Sequence, residues 1–415
     1  MASSDPPSRL ARRLGTAEAT LIGLGSMIGA GVFVVFGLAA RAAGGWLLIG
    51  LLLAALVAVC NAFSSAQLAA LHPSSGGAYV YGRERLGPTW GFLAGWGFVF
   101  GKTASCAAMA LAIGSYVSTE FAQVIALASV VVLGAINYLG VQRTARTISV
   151  LVPAVVGVLL LVVVSGIGGN AFDPDRLWGS APNATGLLQA GGLIFFAFAG
   201  YARIGTLGEE VREPGRTIPR AMVLAVSIAL LIYTLVAVAA LGALGADRLA
   251  SSVSPLAEVT EVAGWSWAGV VVRFTAVVAA SGALLALLAG VSRTVFAMAQ
   301  NRDLPPWLGA VHEQRKTPHR AEIVVGLSVM VLLLLTDLLG AVGFSSFLVL
   351  WYYAVANLAA LRLNETERRW PRFISVLGLV GCLALGLSLA PSTVAVGVGL
   401  LLLGWLVHSL RRQRL

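Results

Sequence analysis

The sequence predicts an all-α integral membrane protein of twelve transmembrane helices with the first interrupted, and three observations lead there. The chain of 415 residues is 58% hydrophobic and only 11% charged, with a mean hydropathy of +0.88, far too apolar for a water-soluble domain of that size. Apolar runs of bilayer-spanning length, roughly 17–25 residues each, recur from Leu14 to Leu410 with charged connectors between them. Four glycines, Gly23, Gly25, Gly29 and Gly31, crowd into the first run, and each costs a helix interior up to about 1 kcal/mol relative to alanine.

Taken in order, the spans are expected near Gly15–Ala40, Gly45–Leu71, Trp90–Val117, Phe121–Leu139, Ile148–Gly168 and Leu187–Gly208. Six more follow near Ala221–Gly245, Trp267–Ala299, Ile323–Leu339, Phe344–Leu361, Ile374–Leu389 and Val394–Leu410. Met1 to Pro7 lack the basic, apolar and small-residue order of a cleaved secretory signal, so the first run is expected to be retained. Residues 1–14 and 411–415 are then short cytoplasmic ends. Cys60, Cys106 and Cys382 all lie inside apolar runs, where cysteine serves as a small hydrophobe.

The net charge of +10 is explained by topology and not by a nucleic-acid partner. With the amino terminus inside, the inner segments collect the basic residues from Arg9, Arg12 and Arg13 to Arg411, Arg412 and Arg414, whereas the outer loops hold only Arg41, Arg176 and Arg248. By the positive-inside rule both termini are expected in the cytoplasm, with the chain in the plasma (inner) membrane. An even number of spans follows.

In lipid, unwound backbone is tolerated only where it lines a cavity or packs inside protein. The segment Ser26, Met27, Ile28, Gly29, Ala30 and Gly31 is therefore a candidate substrate-binding stretch, its bare amides and carbonyls suited to the charged ends of a small zwitterion. The same glycines equally suit a close helix crossing. From this segment alone the two readings stand level.

The sixth span reads Phe195-Phe196-Ala197-Phe198-Ala199-Gly200-Tyr201 and runs on to Glu209-Glu210-Val211-Arg212-Glu213-Pro214 and Thr217-Ile218-Pro219-Arg220-Ala221. This stretch resembles the sixth-helix signature of the amino acid-polyamine-organocation transporters, and Gly25 to Phe33 is similar to their first-helix signature. Ser292-Arg293-Thr294-Val295-Phe296-Ala297-Met298-Ala299, followed by Asp303-Leu304-Pro305 and Thr317-Pro318, resembles their passage out of the eighth helix. The resemblance implies two five-helix repeats in inverted orientation, here 15–168 and 187–362, plus two peripheral helices at 373–410. It also implies discontinuous first and sixth helices around a central substrate, with Phe196, Ala197, Phe198, Ala199, Gly200 and Tyr201 as the second binding stretch and Phe196 closing over it. The predicted topology agrees, since the first span enters from inside and the sixth from outside.

A charge at the bilayer centre costs roughly 2.5 to 3.5 kcal/mol on insertion scales. Lys102 lies about twelve residues past Trp90, or roughly 18 Å along a helix, too deep to snorkel out. It must find a partner or a wet cavity. One reading is a structural anchor on carbonyls or on hydroxyls such as Thr103 or Ser105; the other is a proton-exchanging group. Some proton-coupled members of the resembled family have a lysine in the fifth helix, where this chain has Val155. Several have an acid after the sixth-helix glycine, where it has Ala202 and then Arg203. Both departures leave Lys102 as the candidate proton-coupling residue. Arg203 is expected to share a helix face with Glu210, so that Arg203, Glu209 and Glu210 form a candidate gating set. Arg273 and Arg293, nearer the ends of the eighth span, are expected to snorkel.

The expected function is secondary active transport of an amino acid or related amine by alternating access, coupled to protons. The alternative is an obligate exchanger of the same fold. Sodium coupling, with Ser281 as a contributor, ranks below protons because Lys102 would set positive charge in that region. No G-x-x-x-x-G-K-[ST] motif is present, and His72, His312, His319 and His408 form no metal-ligand pattern, so neither an ATP-driven pump nor a metalloenzyme is expected. The expected partners are the small-molecule substrate, a proton and membrane lipid, with no cofactor and no metal.

Overall fold

The computed structural model describes residues 14–72, 76–139, 145–179, 183–205, 207, 210–312 and 317–412. Among them every regular element is helical. The first predicted span is two helices, α1 (Thr16–Met27) and α2 (Ala30–Ala43). They lead through a 3-10 turn at Gly44–Trp46 into α3 (Leu47–Leu71), a short α4 (Ala78–Leu86), α5 (Pro88–Val117), α6 (Ala122–Tyr138) and α7 (Ala145–Gly168). The sixth span is likewise divided into α8 (Ala184–Phe198), a 3-10 turn at Ala199–Tyr201 and a single-turn α9 (Ala202–Gly205). After it come α10 (Pro214–Ser251), α11 (Pro255–Val262), α12 (Ser266–Gln300), α13 (His319–Leu335), α14 (Leu338–Leu361), α15 (Arg372–Leu387) and α16 (Pro391–Arg412).

By length and composition, eight helical runs among the described residues are long and apolar enough to cross a membrane, with α2 and α3 counted as one run from Gly31 to Leu71. Two shorter apolar helices, α6 and α15, accompany them. Large apolar side chains are exposed on the outward faces: Val124 and Val131 on α6, Phe274 on α12, Leu335 on α13, Phe373 on α15 and Leu402 on α16. A bilayer supplies the cover that water would not. Inside this ring, α2 packs on α8, α3 on α8 and α10, and α5 on α12 and α14.

Proline sits in the first turn of α5, α10 and α11, where its missing N–H costs nothing. Within α10, Gly245 takes φ 70° and turns the chain into a short extension up to Ser251. The short α11 has no counterpart among the predicted spans. Eight residues cannot cross a bilayer, and it instead buries Pro255, Leu256, Ala257, Val259 and Thr260 against α2, α7, α10 and α12.

The basic end of the bundle is tied together by polar contacts. Leu14 and Val211 form an isolated bridge, with Leu14 N donating to the Glu210 carbonyl at 3.1 Å and Arg212 N donating to the Leu14 carbonyl at 2.8 Å. Arg85 on α4 holds Glu367 with two N–H···O bonds of 2.9 and 2.8 Å, which keep that carboxyl below its ordinary pKa. Tyr79 donates to Asp303 Oδ2 at 2.6 Å, and burial followed by the Asp303 bond pushes its phenol up to about 12. Arg83 joins the same carboxylate at 2.9 Å.

Candidate functional site

Two interrupted helices meet at the centre of the bundle. The first departs from helical geometry at Ile28 (φ −82°, ψ 42°) and Gly29 (φ −87°, ψ −142°). No side chain caps the amino end of α2, so the break presents bare N–H groups on one side and the carbonyl end of α1 on the other. The second interruption is milder. The chain tightens from α8 into one 3-10 turn, with Ala199 N bonded back to the Phe195 and Phe196 carbonyls.

Glycine lets the two breaks touch. A Cβ placed on Gly200 would lie 2.3 Å from the Ser26 carbonyl and 2.5 Å from Met27 N, and one on Gly31 would lie 2.9 Å from the Ala197 Cα. Both positions admit backbone where any side chain would collide. On Gly29 a Cβ would meet the Ala283 methyl of α12 at 2.8 Å. Gly23 and Gly25 remain helical and pack against Ile204 and Val152. The glycine-rich segment thus divides: the helix unwinds at Ile28 and Gly29, while Gly23, Gly25 and Gly31 permit close packing.

Lys102, 7% exposed on α5, reaches into this junction and donates from Nζ to the Ala199 carbonyl at 3.4 Å. Its partner is the backbone of the second break and not the hydroxyls that sequence suggested. Thr103 Oγ1 bonds the Val99 carbonyl, and Ser105 shares a hydrogen bond with Ser345 of α14 at 2.6 Å. Among the described residues the acidic ones lie at helix ends, in connectors or on the short α4 and α11, and none of them is bonded to Lys102.

Tyr233 of α10 was not among the sequence candidates. Its hydroxyl lies 2.8 Å from the Met27 carbonyl and 3.1 Å from the Ala197 carbonyl, which joins the ends of α1 and α8 through one O–H. Phe198 packs edge-on against its ring, with centroids 5.1 Å apart. A lone hydroxyl-bearing aromatic in the aliphatic stretch Ala229 to Leu241 was the available signal, since a buried tyrosine needs a partner.

The remaining predicted residues distribute as follows. Ser26 Oγ returns its bond to the Ile22 carbonyl of its own helix. Met27 and Ile28 are buried, and Ala30 opens α2. Phe196, 7% exposed, lies beside Gly31. Tyr201 turns away from the first break and stacks on Tyr353 of α14 with centroids 5.0 Å apart. Val155 is buried on α7, and Ser281 is half-buried on α12, two residues before Ala283.

The shared helix face expected of Arg203 and Glu210 is not present. The sixth span ends at Gly205 and not at Gly208, so Arg203 and Glu210 do not share one continuous helix. Glu210 is instead placed by the pairing of its carbonyl with Leu14 N. Its charge still acts on exposed Arg203, through tertiary proximity and not through helical spacing. Glu209 lies outside the described residues. Arg273 does not merely snorkel, for it bonds Glu261 of α11 at 3.2 Å. Among the described residues no group of histidine, cysteine, aspartate and glutamate is placed to hold a metal.

The amino acid permease family model matches residues 14–401. An uncharacterized transporter of Mycobacterium tuberculosis is 56% identical over 98% of this chain and 93% of its own. A branched-chain amino acid permease of Bacillus subtilis is 25% identical over 100% of this chain and 96% of its own. The human cationic amino acid transporter 4 is 28% identical over 86% of this chain and 61% of its own.

Proposed function

We propose, from the premise that this chain belongs to the amino acid permease family of the amino acid-polyamine-organocation superfamily, that it moves an amino acid or related amine across the plasma membrane by proton-coupled alternating access. It is a multi-pass membrane transporter and not an enzyme. Twelve spans arranged as inverted repeats at 15–168 and 187–362, with peripheral helices at 373–410 and both termini cytoplasmic, complete the reading.

The observation that carries it is the junction of the two breaks, with Lys102 Nζ on the Ala199 carbonyl beside Gly200 and the Ser26–Met27 backbone. The uncapped amino end of α2 suits a carboxylate, by partial positive charge and free N–H groups together. The carbonyl ends of α1 and α8 suit an ammonium. A substrate ammonium and a charged Lys102 compete for the same carbonyl end of α8 and repel each other, so substrate binding and proton loss from Lys102 are linked. The Leu14–Val211 bridge couples α1 to the chain beyond α9, and these inner halves move together when the site opens to the cytoplasm. Phe196, beside Gly31, closes over the substrate, and Arg203 with Glu209 and Glu210 gates the inner side.

Proteoliposome uptake tests the proposal. Purified protein is expected to accumulate a responsive amino acid in initially empty vesicles under an inward proton gradient, with Lys102→Met abolishing the pH dependence. A wild-type pH profile in Lys102→Met removes Lys102 from proton coupling. Uptake seen only with amino acid preloaded inside establishes exchange instead.

A further inference from the structure

The backbone ends at the two breaks receive a carboxylate and an ammonium alike for every amino acid, so selectivity has to come from what the substrate's side chain meets. Beside the first break that is the surface packed on Gly29. A Cβ there would lie 2.8 Å from the Ala283 methyl of α12 and 3.8 Å from Met109 Cε of α5, and Phe196 stands beside Gly31. Met109, Ala283 and Phe196 each keep 7–8% of their surface accessible although they lie inside the bundle. What they offer is carbon and sulfur. Met109 is two turns beyond Lys102 on the same face of α5, whereas Ser281 lies across α12 from Ala283.

Nothing at this junction balances a charge on a substrate side chain. No described carboxylate is bonded to Lys102 or to a residue of either break. The hydroxyls nearby already give their protons to the protein: Ser26 to the Ile22 carbonyl, Thr103 to the Val99 carbonyl, and Tyr233 to the Met27 and Ala197 carbonyls. A lone pair left on such a hydroxyl solvates a charge without neutralising it, and an unpaired charge away from water is costly.

The way from the junction to the basic end adds a second cation. Ala279, Ala283, Ala286, Gly290, Arg293 and Ala297 follow one another at three- and four-residue steps on one face of α12. The first two are buried; Ala286, Arg293 and Ala297 are exposed, and open space surrounds Gly290. This wall is alanine and glycine except for Arg293, whose charge acts on Arg203 of α9 and on Glu322 at the start of α13. A solute passing here meets Arg293 below and Lys102 above.

We propose that the transported solute is an α-amino acid with a neutral, apolar side chain, and that cationic amino acids, and amines lacking a carboxylate, are excluded by the Met109, Ala283 and Phe196 surface together with the cations Lys102 and Arg293. This selectivity rests on the transport reading above and narrows its substrate to one class. It does not require Lys102 to be charged, since the Met109 side offers no acid in either state of the lysine.

Thermal-shift titration of the full chain in detergent tests the class, because a bound ligand raises the melting temperature by mass action. L-valine, L-leucine and L-methionine are expected to raise it and to compete with one another for uptake into proteoliposomes. L-lysine, L-arginine and putrescine are expected to bind at least about a hundredfold more weakly. Any of these three binding as tightly as leucine overturns the selectivity and leaves the transport reading standing. No response to any amino acid, and no uptake, refutes the transport reading and this class with it.

Met109→Asp sets a carboxylate on the apolar side and is expected to gain a response to lysine and arginine, whereas Met109→Asn, which adds no charge, is not. An equal gain in both variants, or none in folded Met109→Asp, overturns the placement of the substrate side chain against Met109.

Discussion

The two breaks at the centre of this transporter reach the same end by different means. The first abandons helical geometry outright: Ile28 and Gly29 leave the α region, and α2 begins afresh with uncapped amides. The second hardly unwinds at all. Ala199 to Tyr201 only tighten into a 3-10 turn, and Gly200 is needed because the Ser26–Met27 backbone presses against it, not because of an unusual torsion. A broken helix thus needs either conformational freedom or room, and here the first break supplies the freedom while the second supplies the room.

That contrast is broken most severely at Gly200. Gly200→Val sets a branched side chain against the backbone of the first break, and overpacking of this kind costs about 1–3 kcal/mol or more. Loss of folded protein in detergent, or a large drop in melting temperature, is expected, whereas Gly134→Ala on α6, where nothing lies within 4 Å, should match or exceed wild type.

Tyr233→Phe asks whether the breaks act as one unit. It leaves the Met27 and Ala197 carbonyls without their shared donor, at a cost of about 1–3 kcal/mol for unsatisfied buried groups, with ring packing retained. Lower thermal stability together with weaker substrate binding in a thermal-shift titration is the expected outcome. A loss of stability with unchanged ligand response would mean that the carbonyls do not serve the substrate.

Gly29→Ala is the gentlest probe and reads the first break alone. The added methyl meets the Ala283 methyl of α12, so the single variant is expected to lose about 1 kcal/mol or more, and Ala283→Gly in the same chain should recover most of it. Failure of the second change to rescue would place the requirement in the torsions of Gly29 and not in its space.

The apolar helical runs were legible because run length and hydropathy are local and additive properties of the chain. Glycine density marked the first break for the same reason. Arg203 and Glu210 were misread because helical spacing has meaning only while the helix continues, and α9 stops at Gly205. Tyr233 escaped notice because its importance lies in two carbonyls contributed by α1 and α8, remote from it along the chain.

The sequence by itself determined that the chain lives in a bilayer, where its first helix weakens, and that Lys102 stands deep among apolar residues. Only the tertiary structure decided what Lys102 touches, which glycines unwind and which merely admit a neighbour, and how Tyr233 joins the two breaks. The physical reason is that hydropathy and backbone propensity act along the chain over a few residues, whereas a carbonyl freed by one break is satisfied by whichever distant helix is packed beside it.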